Sequence, residues 1–505
     1  MNIVAKEPSL LAIYLSQNQK KILGSNVNES LFKSFTKRIK NLFPNISIYS
    51  NYAIPTLDTT ILSIESEKDF LLEASKLLPP SESEDKDFDE IYMAYFNGIY
   101  PLLSTNSTKS LLDRHKKYIS QYSYSENLPN GIVPILISRE FISTLPDKPE
   151  ISFHEYLLKN INNYDTEIYF ESPDLRNLRL DFTLKDFRSI NLCYNLLNIN
   201  NEIEYKEILS ILQKNPSFFR SSPSYIELEL YRGCNLTCSF CPRTTISMDR
   251  ENTYFSKSEI SNLIIDLNSF RDDFTICFGG MGEPLLHPDL VGIIDEVINE
   301  NNLKELIIET ALYPNTDKLF SYLKMLPENK KSKIIIIVNL TTLKENQYKN
   351  LYGNNANDIN DILNKIKELK SILNSKSLYV QMIKIKEIES EIEDYFNFFE
   401  KLDIQVLLQK YNSFASRMPE KRVSDLTPIK RDFCWHLARD LYIQSNGDVS
   451  ACKQVEDIVI GNIKNQSLQE IWNQNSKRFS HSFNDEHGEI DLPCLKCDEW
   501  YTFNA

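Results

Sequence analysis

Between Tyr225 and Lys410 short apolar runs alternate with longer segments whose apolar residues recur every three or four positions, the signature of strands alternating with amphipathic helices. Ile226 to Tyr231, Phe274 to Phe278, Glu305 to Glu309, Lys333 to Asn339, Leu378 to Ile383 and Ile404 to Lys410 are expected strands. Ser256 to Asn268, Asp289 to Glu300, Asp317 to Met325, Asp358 to Leu373 and Ile388 to Leu402 are expected helices. Six such steps imply a parallel sheet, which crossovers of one hand can curl into part of a barrel. Upstream, Leu10 to Leu15 and Ser47 to Ser50 read as strands and Ser30 to Phe43 as a helix, so the front of the chain is also α/β. Asn201 to Gln213, with Ile203, Ile208, Leu209 and Leu212 at helical spacing, reads as a connecting helix before the Pro- and Ser-containing stretch Pro216 to Ser224. Near the C-terminus, Asn446-Gly447 ahead of Val449 reads as a hairpin turn that carries Cys452 back toward Cys434.

Composition narrows the class. The 505 residues, 42% hydrophobic and 11% aromatic, suffice for two or three domains with their own cores. A net charge of -14, with 56 Lys+Arg against 70 Asp+Glu and no long basic stripe, argues against a nucleic-acid partner. No apolar run reaches the length of a membrane span, and Met1 to Gln17 lacks a basic start and a small-residue cleavage site, so a cytoplasmic protein is expected. Pro79 to Glu90 reads as a solvated acidic loop. Nine cysteines in such a chain read as metal ligands more readily than as disulfides. Cys193 and Cys277 lie in apolar strings and are expected to pack in cores.

The other seven cysteines form two clusters. Cys234, Cys238 and Cys241 stand in Tyr-Arg-Gly-Cys-Asn-Leu-Thr-Cys-Ser-Phe-Cys-Pro. Three thiolates can hold three irons of a four-iron cluster and leave the fourth open to a chelating ligand. A zinc knuckle or buried free thiols are the alternatives; the nearest following His is His287, while zinc normally wants four ligands. The spacing, with Phe240 before the last cysteine, resembles the signature of the radical S-adenosylmethionine superfamily. The resemblance implies a six-unit partial barrel of TIM type, with the site at the carboxyl ends of its strands. It also implies a [4Fe-4S] cluster that binds S-adenosylmethionine and reductive cleavage to a 5'-deoxyadenosyl radical that takes hydrogen from a substrate. Phe278-Gly279-Gly280-Met281-Gly282-Glu283-Pro284 is similar to the family's glycine-glycine-glutamate motif, so Glu283 and the backbone of Gly279, Gly280, Met281 and Gly282 are implied to hold the methionyl amine. Asn339, with Thr341, ends the fourth strand, where relatives place a polar contact to the cofactor. Glu309 and Thr310 end the third, but Ala311-Leu312 replaces the Asn-Gly common in relatives. No catalytic side chain beyond the cluster is identified.

Cys434, Cys452, Cys494 and Cys497 can close a second cluster or a structural zinc site, and spacing alone favours zinc. The stretch resembles the auxiliary-cluster extension called SPASM in its shortened twitch form, helped by Gly461-Asn462-Ile463 and the run Leu468 to Trp472. That implies one auxiliary [4Fe-4S] cluster, fully ligated and suited to electron transfer or structure. His436, Arg439 and Asp440 are candidates to face the substrate, an ion pair at the surface being the commoner fate.

In the first ~200 residues, Asn97 to Ile137 and Arg176 to Ser189 resemble sugar-activating nucleotidyltransferases. Ser16-Gln17-Asn18-Gln19-Lys20-Lys21 replaces their glycine-rich phosphate loop, and Asn97-Gly98-Ile99-Tyr100 lacks their metal-binding Asp, so a degenerate domain is implied. The expected organisation is a nucleotidyltransferase-like α/β domain over 1–200, a linker helix over 201–223, a radical core over 224–425 and an auxiliary-cluster domain over 426–505, an architecture resembling the spiro-SPASM group. The implied function is hydrogen abstraction from an unidentified small or sugar-like substrate, with a two-electron dehydrogenation as the expected form. The alternatives are a maturase of a peptide or protein and, more distantly, a non-enzymatic iron-sulfur protein. A flavodoxin or ferredoxin is the implied electron donor.

Overall fold

Strands whose residues are apolar on both faces must be covered on both, and this governs each of the two units of the chain, Met1–Ser221 and Ser222–Ala505. The computed structural model describes residues 7–25, 27–80, 91–145, 153–246, 252–353, 355–356, 358–490 and 492–501. Most of the acidic run Pro79 to Glu90 lies outside the described residues.

The first unit is built on β1 (Leu10–Ile13), β2 (Ile48–Ser50), β3 (Thr60–Ile61), β4 (Tyr92–Phe96), β5 (Tyr122–Ser125), β6 (Ile135–Ser138) and β7 (Thr166–Tyr169). Their order is β3-β2-β1-β4-β6-β5-β7. All pairs are parallel except those of β6, which runs against β4 and β5. β1 stops at Ile13, two residues short of expectation. Ser16 caps the helix Gln17–Leu23, accepting from the Gln19 backbone while the Gln19 side chain accepts from the Ser16 N–H. The remaining Gln19 donor is spent on the carbonyls of Asn97 and Thr183, each at 3.2 Å. The expected connecting helix is observed as Tyr205–Lys214 and belongs to this unit, with Tyr205, Ile208, Ile211 and Leu212 buried.

The second unit carries β8 (Tyr225–Leu228), β9 (Phe274–Phe278), β10 (Leu303–Thr310), β11 (Ile334–Asn339), β12 (Leu378–Lys384) and β13 (Gln405–Lys410). These six lie side by side in chain order and are all parallel, so each of the five connections between them is a crossover. Alternate residues sort by face. Ile226, Leu228, Ile276, Phe278, Ile308 and Ile336 pack under the helices, whereas Tyr225, Cys277, Ile307 and Ile337 line the inner side. Cys193 and Cys277 are fully buried, as their apolar settings required. The expected first strand ends at Leu228 rather than Tyr231, because the Glu229 N–H turns to the carbonyl of Ile443 at 2.9 Å.

That contact marks the main feature the sequence did not disclose. The C-terminal segment forms β14 (Asp440–Ile443), β15 (Asp448–Ser450) and β16 (Val459–Asn462), and β14 pairs in parallel with β8. The auxiliary segment thus continues the barrel sheet from its first strand. The hairpin turn is at Asn446-Gly447, with Gly447 at φ +93°. No helix among the described residues is long and apolar enough to cross a membrane.

Candidate cluster and cofactor site

The chain leaves β8 through Glu229 to Gly233 and enters the triad loop, whose three cysteines are free and partly exposed. The loop is pinned from behind: Thr237 N–H donates to the Tyr352 carbonyl at 3.1 Å and Ser239 N–H to that of Leu351 at 2.8 Å. Gly353 must be glycine there, since at φ +91° its Cβ would stand 2.0 Å from Thr237 Oγ1. Arg243 Nη2 closes the loop on the Leu236 carbonyl at 2.8 Å, and the Leu236 N–H points at Cys234 Sγ at 3.4 Å. Burial pushes the Cys234 thiol up to about 11, with Glu283 and Cys241 adding to the rise. Burial, then Cys241 and Cys234, push Cys238 higher still. Thiols that crowd and raise one another call for a cation to hold them as thiolates.

The glycine run after β9 lies against this loop. Glu283 N–H donates to the Gly233 carbonyl at 2.9 Å, and a Cβ on Gly282 would meet the Tyr231 carbonyl at 1.8 Å. Only glycine permits that approach. Gly280, at φ +84°, donates its N–H to Glu227 Oε1 at 3.0 Å, and Met281 donates to Glu229 Oε2 at 3.2 Å. The structure therefore brings the triad and Gly279 to Glu283 together.

Glu283 itself faces another way. It is 3% exposed, and its carboxylate accepts from Thr310 Oγ1 at 2.6 Å, Ala311 N–H at 2.9 Å and Leu285 N–H at 3.1 Å. Burial raises it to about 7 against the pull of those donors. At Ala311-Leu312 it is the backbone that is used: the first amide holds Glu283, and Leu312 N–H donates to Thr310 Oγ1 at 2.9 Å. Asn339 ends β11 and is half-buried, its Oδ1 accepting from Gln381 Nε2 at 2.7 Å. Thr341 donates its N–H to the Tyr352 hydroxyl at 2.8 Å.

A buried ion network ties the loops. Arg232, two residues before Cys234, has no exposed surface and donates Nη1 to Glu229 Oε2 at 2.8 Å and Glu456 Oε2 at 3.2 Å. Glu229 also receives the Tyr442 hydroxyl at 3.0 Å and the Ser445 hydroxyl at 2.9 Å. One carboxylate so joins the triad loop, the glycine loop and the auxiliary hairpin. Sequence reasoning missed Glu227, Glu229, Arg232, Lys453 and Glu456. The available signal was Tyr-Ile-Glu-Leu-Glu-Leu, which places charge on alternate residues of a strand otherwise apolar.

The four C-terminal cysteines also gather. Burial pushes Cys434 up to about 12, with Cys497 and Cys494 contributing. Cys497 is likewise pushed up to about 12 by burial, then by Glu499 and Cys494. Burial, then Cys434, Cys497 and Cys494, raise Cys452. Backbone N–H groups of Gln454 and Glu499 point at the sulfurs of Cys452 and Cys497 at 3.4 and 3.3 Å, the kind of contact that tunes an iron-sulfur centre. Among the described residues no three His, Cys, Asp or Glu side chains converge on one ion.

Between the inner face of the strands and the Cys434 to Gln454 segment lies a cavity of about 620 Å³, lined among others by Glu227, Glu309, Gln381, His436, Asp440 and Lys453. His436 Nδ1 and Asp440 Oδ2 are 2.6 Å apart and Arg439 Nε is 3.0 Å from Asp440 Oδ1. The expected ion pair is therefore present, on the cavity wall for His436 and Asp440.

Residues 228–399 match the family model described as the radical SAM superfamily, and residues 434–498 match SPASM, an iron-sulfur cluster-binding domain. A protein of Treponema pallidum (strain Nichols), described only as uncharacterized, is 26% identical over 359 residues, which cover 69% of this chain and 98% of that one. Among solved structures, Streptococcus suis SuiB bound to precursor peptide SuiA is similar with a TM-score of 0.42 and 14% identity, over 61% of this chain and 75% of SuiB. BtrN in complex with AdoMet and 2-DOIA gives 0.34 and 16%, over 55% and 96%. A cytidylyltransferase from Leptospira borgpetersenii serovar Hardjo-bovis gives 0.34 and 12%, over 42% and 97%. The triad lies inside the first matched segment and all four C-terminal cysteines inside the second. The second unit belongs to the radical S-adenosylmethionine superfamily and ends in a SPASM domain, which together imply an S-adenosylmethionine-binding [4Fe-4S] cluster and an auxiliary cluster.

Proposed function

We propose that Cys234, Cys238 and Cys241 hold the cluster that binds S-adenosylmethionine, that Cys434, Cys452, Cys494 and Cys497 hold the auxiliary cluster, and that a small, sugar-like substrate is dehydrogenated in the cavity between them. The observation that carries this reading is the cavity itself, which runs from Glu227 and Glu309 beside the glycine loop to Cys452. When bound, cluster and cofactor supply a 5'-deoxyadenosyl radical able to remove a substrate hydrogen, and the auxiliary cluster supplies an acceptor for the second electron.

The chain's own part is placement. The backbone of Gly279 to Gly282, whose Gly280 and Met281 amides are held by Glu227 and Glu229, offers its carbonyls to the methionyl amine of the cofactor, and Asn339 offers a second polar contact. Glu283 contributes by fixing the loop against Thr310 and Ala311. The apolar inner residues Ile307 and Ile337 keep water from the reacting atoms. A flavodoxin or ferredoxin is the proposed reductant. The first unit is proposed to have lost nucleotidyl transfer, because a capped helix whose Gln19 is already satisfied stands where a phosphate cradle would be needed.

The test is anaerobic purification, reconstitution with iron and sulfide, and incubation with S-adenosylmethionine and reductant. About eight irons per chain and release of 5'-deoxyadenosine are expected. Absence of 5'-deoxyadenosine under every reducing condition ends the reading, and about four irons with bound zinc removes the auxiliary cluster. Deuterium washed into 5'-deoxyadenosine from labelled peptide pools, and not from labelled small-molecule pools, would turn the assignment to a peptide maturase.

A further inference from the structure

The cavity's charges do not balance. Lys410 Nζ is 2.7 Å from Glu499, His436 is paired with Asp440, and Lys453 Nζ is 2.5 Å from Glu227 Oε1. Lys304 lies five residues before Glu309 on β10, about 16 Å away along the strand. That leaves Glu309. Among the described residues its carboxyl accepts no hydrogen bond and makes no direct ion pair; burial raises its acid above the ordinary carboxylate range, Lys453 pulls it down and Glu227 pushes it up. A largely buried carboxylate without a partner is costly unless something entering the cavity pairs with it.

Its position is specific. Glu227 Oε1 and Glu309 Oε2 flank Gly279, at 3.3 and 3.5 Å from the place a Cβ would occupy. Two carboxylates and one ammonium thus stand at the glycine loop, with a wall of Ile307, Ile337 and Tyr379 beside them and the Gln381 amide close by. The cavity volume of about 620 Å³ lies in the small-molecule range of roughly 300–1,000 Å³.

We propose that Glu309 is the seat of an ammonium group on the substrate, which makes the substrate a small polar amine bound with its charged end beside the glycine loop. This rests on the radical reading above. The ammonium completes the charge balance, and Glu227, already held by Lys453 and Gly280 N–H, shapes the seat from the other side.

The test uses the reconstituted full chain and matched pairs that differ only in amine for hydroxyl: glucosamine with glucose, and 4-aminobutan-1-ol with butane-1,4-diol. Calorimetric titration at neutral pH should show at least one amine bound about tenfold more tightly than its alcohol. The preference should vanish in Glu309→Gln and persist in Glu328→Gln, an exposed position remote from the cavity. Circular dichroism of both variants verifies the fold. No difference within either pair, including no binding by any member, or a preference that survives Glu309→Gln, overturns the proposal. S-adenosylmethionine is titrated alongside, and a loss confined to it would give the seat to the cofactor's own ammonium and overturn the substrate class. Wild-type 5'-deoxyadenosine release in the same preparation separates the two failures: without it the radical reading falls, and with it only the amine seat is at stake.

Discussion

Three donors converge on Glu283 inside the protein, and that gives its titration a definite sign. Burial raises the folded-state acid to about 7 against an ordinary value of 4.5. Between those values the folded chain keeps a proton that the unfolded chain has released, so the group's contribution is greatest below about pH 4.5 and is lost as pH rises through about 7. Glu283→Gln cannot titrate. The stability of wild type minus that of Glu283→Gln should therefore fall between pH 5 and pH 8, read as urea midpoints; a difference that rises over this window would refute the assignment. Arg232 is the second residue with a large expected effect. Arg232→Met removes the single guanidinium between Glu229 and Glu456 and leaves both carboxylates buried beside one another, which should cost about 3–5 kcal/mol. Chemical denaturation of the reconstituted protein measures it, and a loss below about 1 kcal/mol would mean that the network carries little.

The β14–β15 hairpin is the element on which the auxiliary site depends, because it sets Cys452 at the end of a strand whose partner joins β8. Cys452→Ser should lower iron from about eight to about four per chain while the triad's cluster, and its S-adenosylmethionine-dependent change in the electron paramagnetic spectrum, persist. Loss of all iron in this variant would show that the clusters are not separate. This element also marks how far the sequence could be read. The six parallel strands were legible because apolar runs of strand length alternate with helical periods, and the triad and glycine motif because their spacing is local. The pairing of β14 with β8 joins residues about 215 apart by backbone hydrogen bonds, and no side-chain pattern encodes it. The partners of Glu283 were illegible for a related reason. Two of the three, Thr310 and Ala311, come from the end of the next strand, and a glutamate after three glycines carries no mark of which way its carboxylate turns.

At the scale of the whole chain, each unit has a hydrophobic cluster of its own. One hydrophobic cluster draws its buried members from Leu10 to Leu157, and the other from Ile226 to Trp472. All seven candidate ligand cysteines lie in the second unit, so any stabilisation from bound iron is linked to that unit's unfolding: a ligand held only by the native state adds to its stability by mass action. The chain offers a way to see this. Its three tryptophans, Trp435, Trp472 and Trp500, all belong to the second unit, whereas both units contribute helices and strands. Tryptophan emission therefore follows the second unit alone, and far-ultraviolet circular dichroism follows both. Removing iron with a chelator should shift the emission-detected midpoint in guanidinium downward, while the dichroism curve splits into a shifted part and a part that stays where it was. If the two probes give one coincident transition before and after chelation, the units unfold as one body, and the cluster that each has of its own has no thermodynamic consequence.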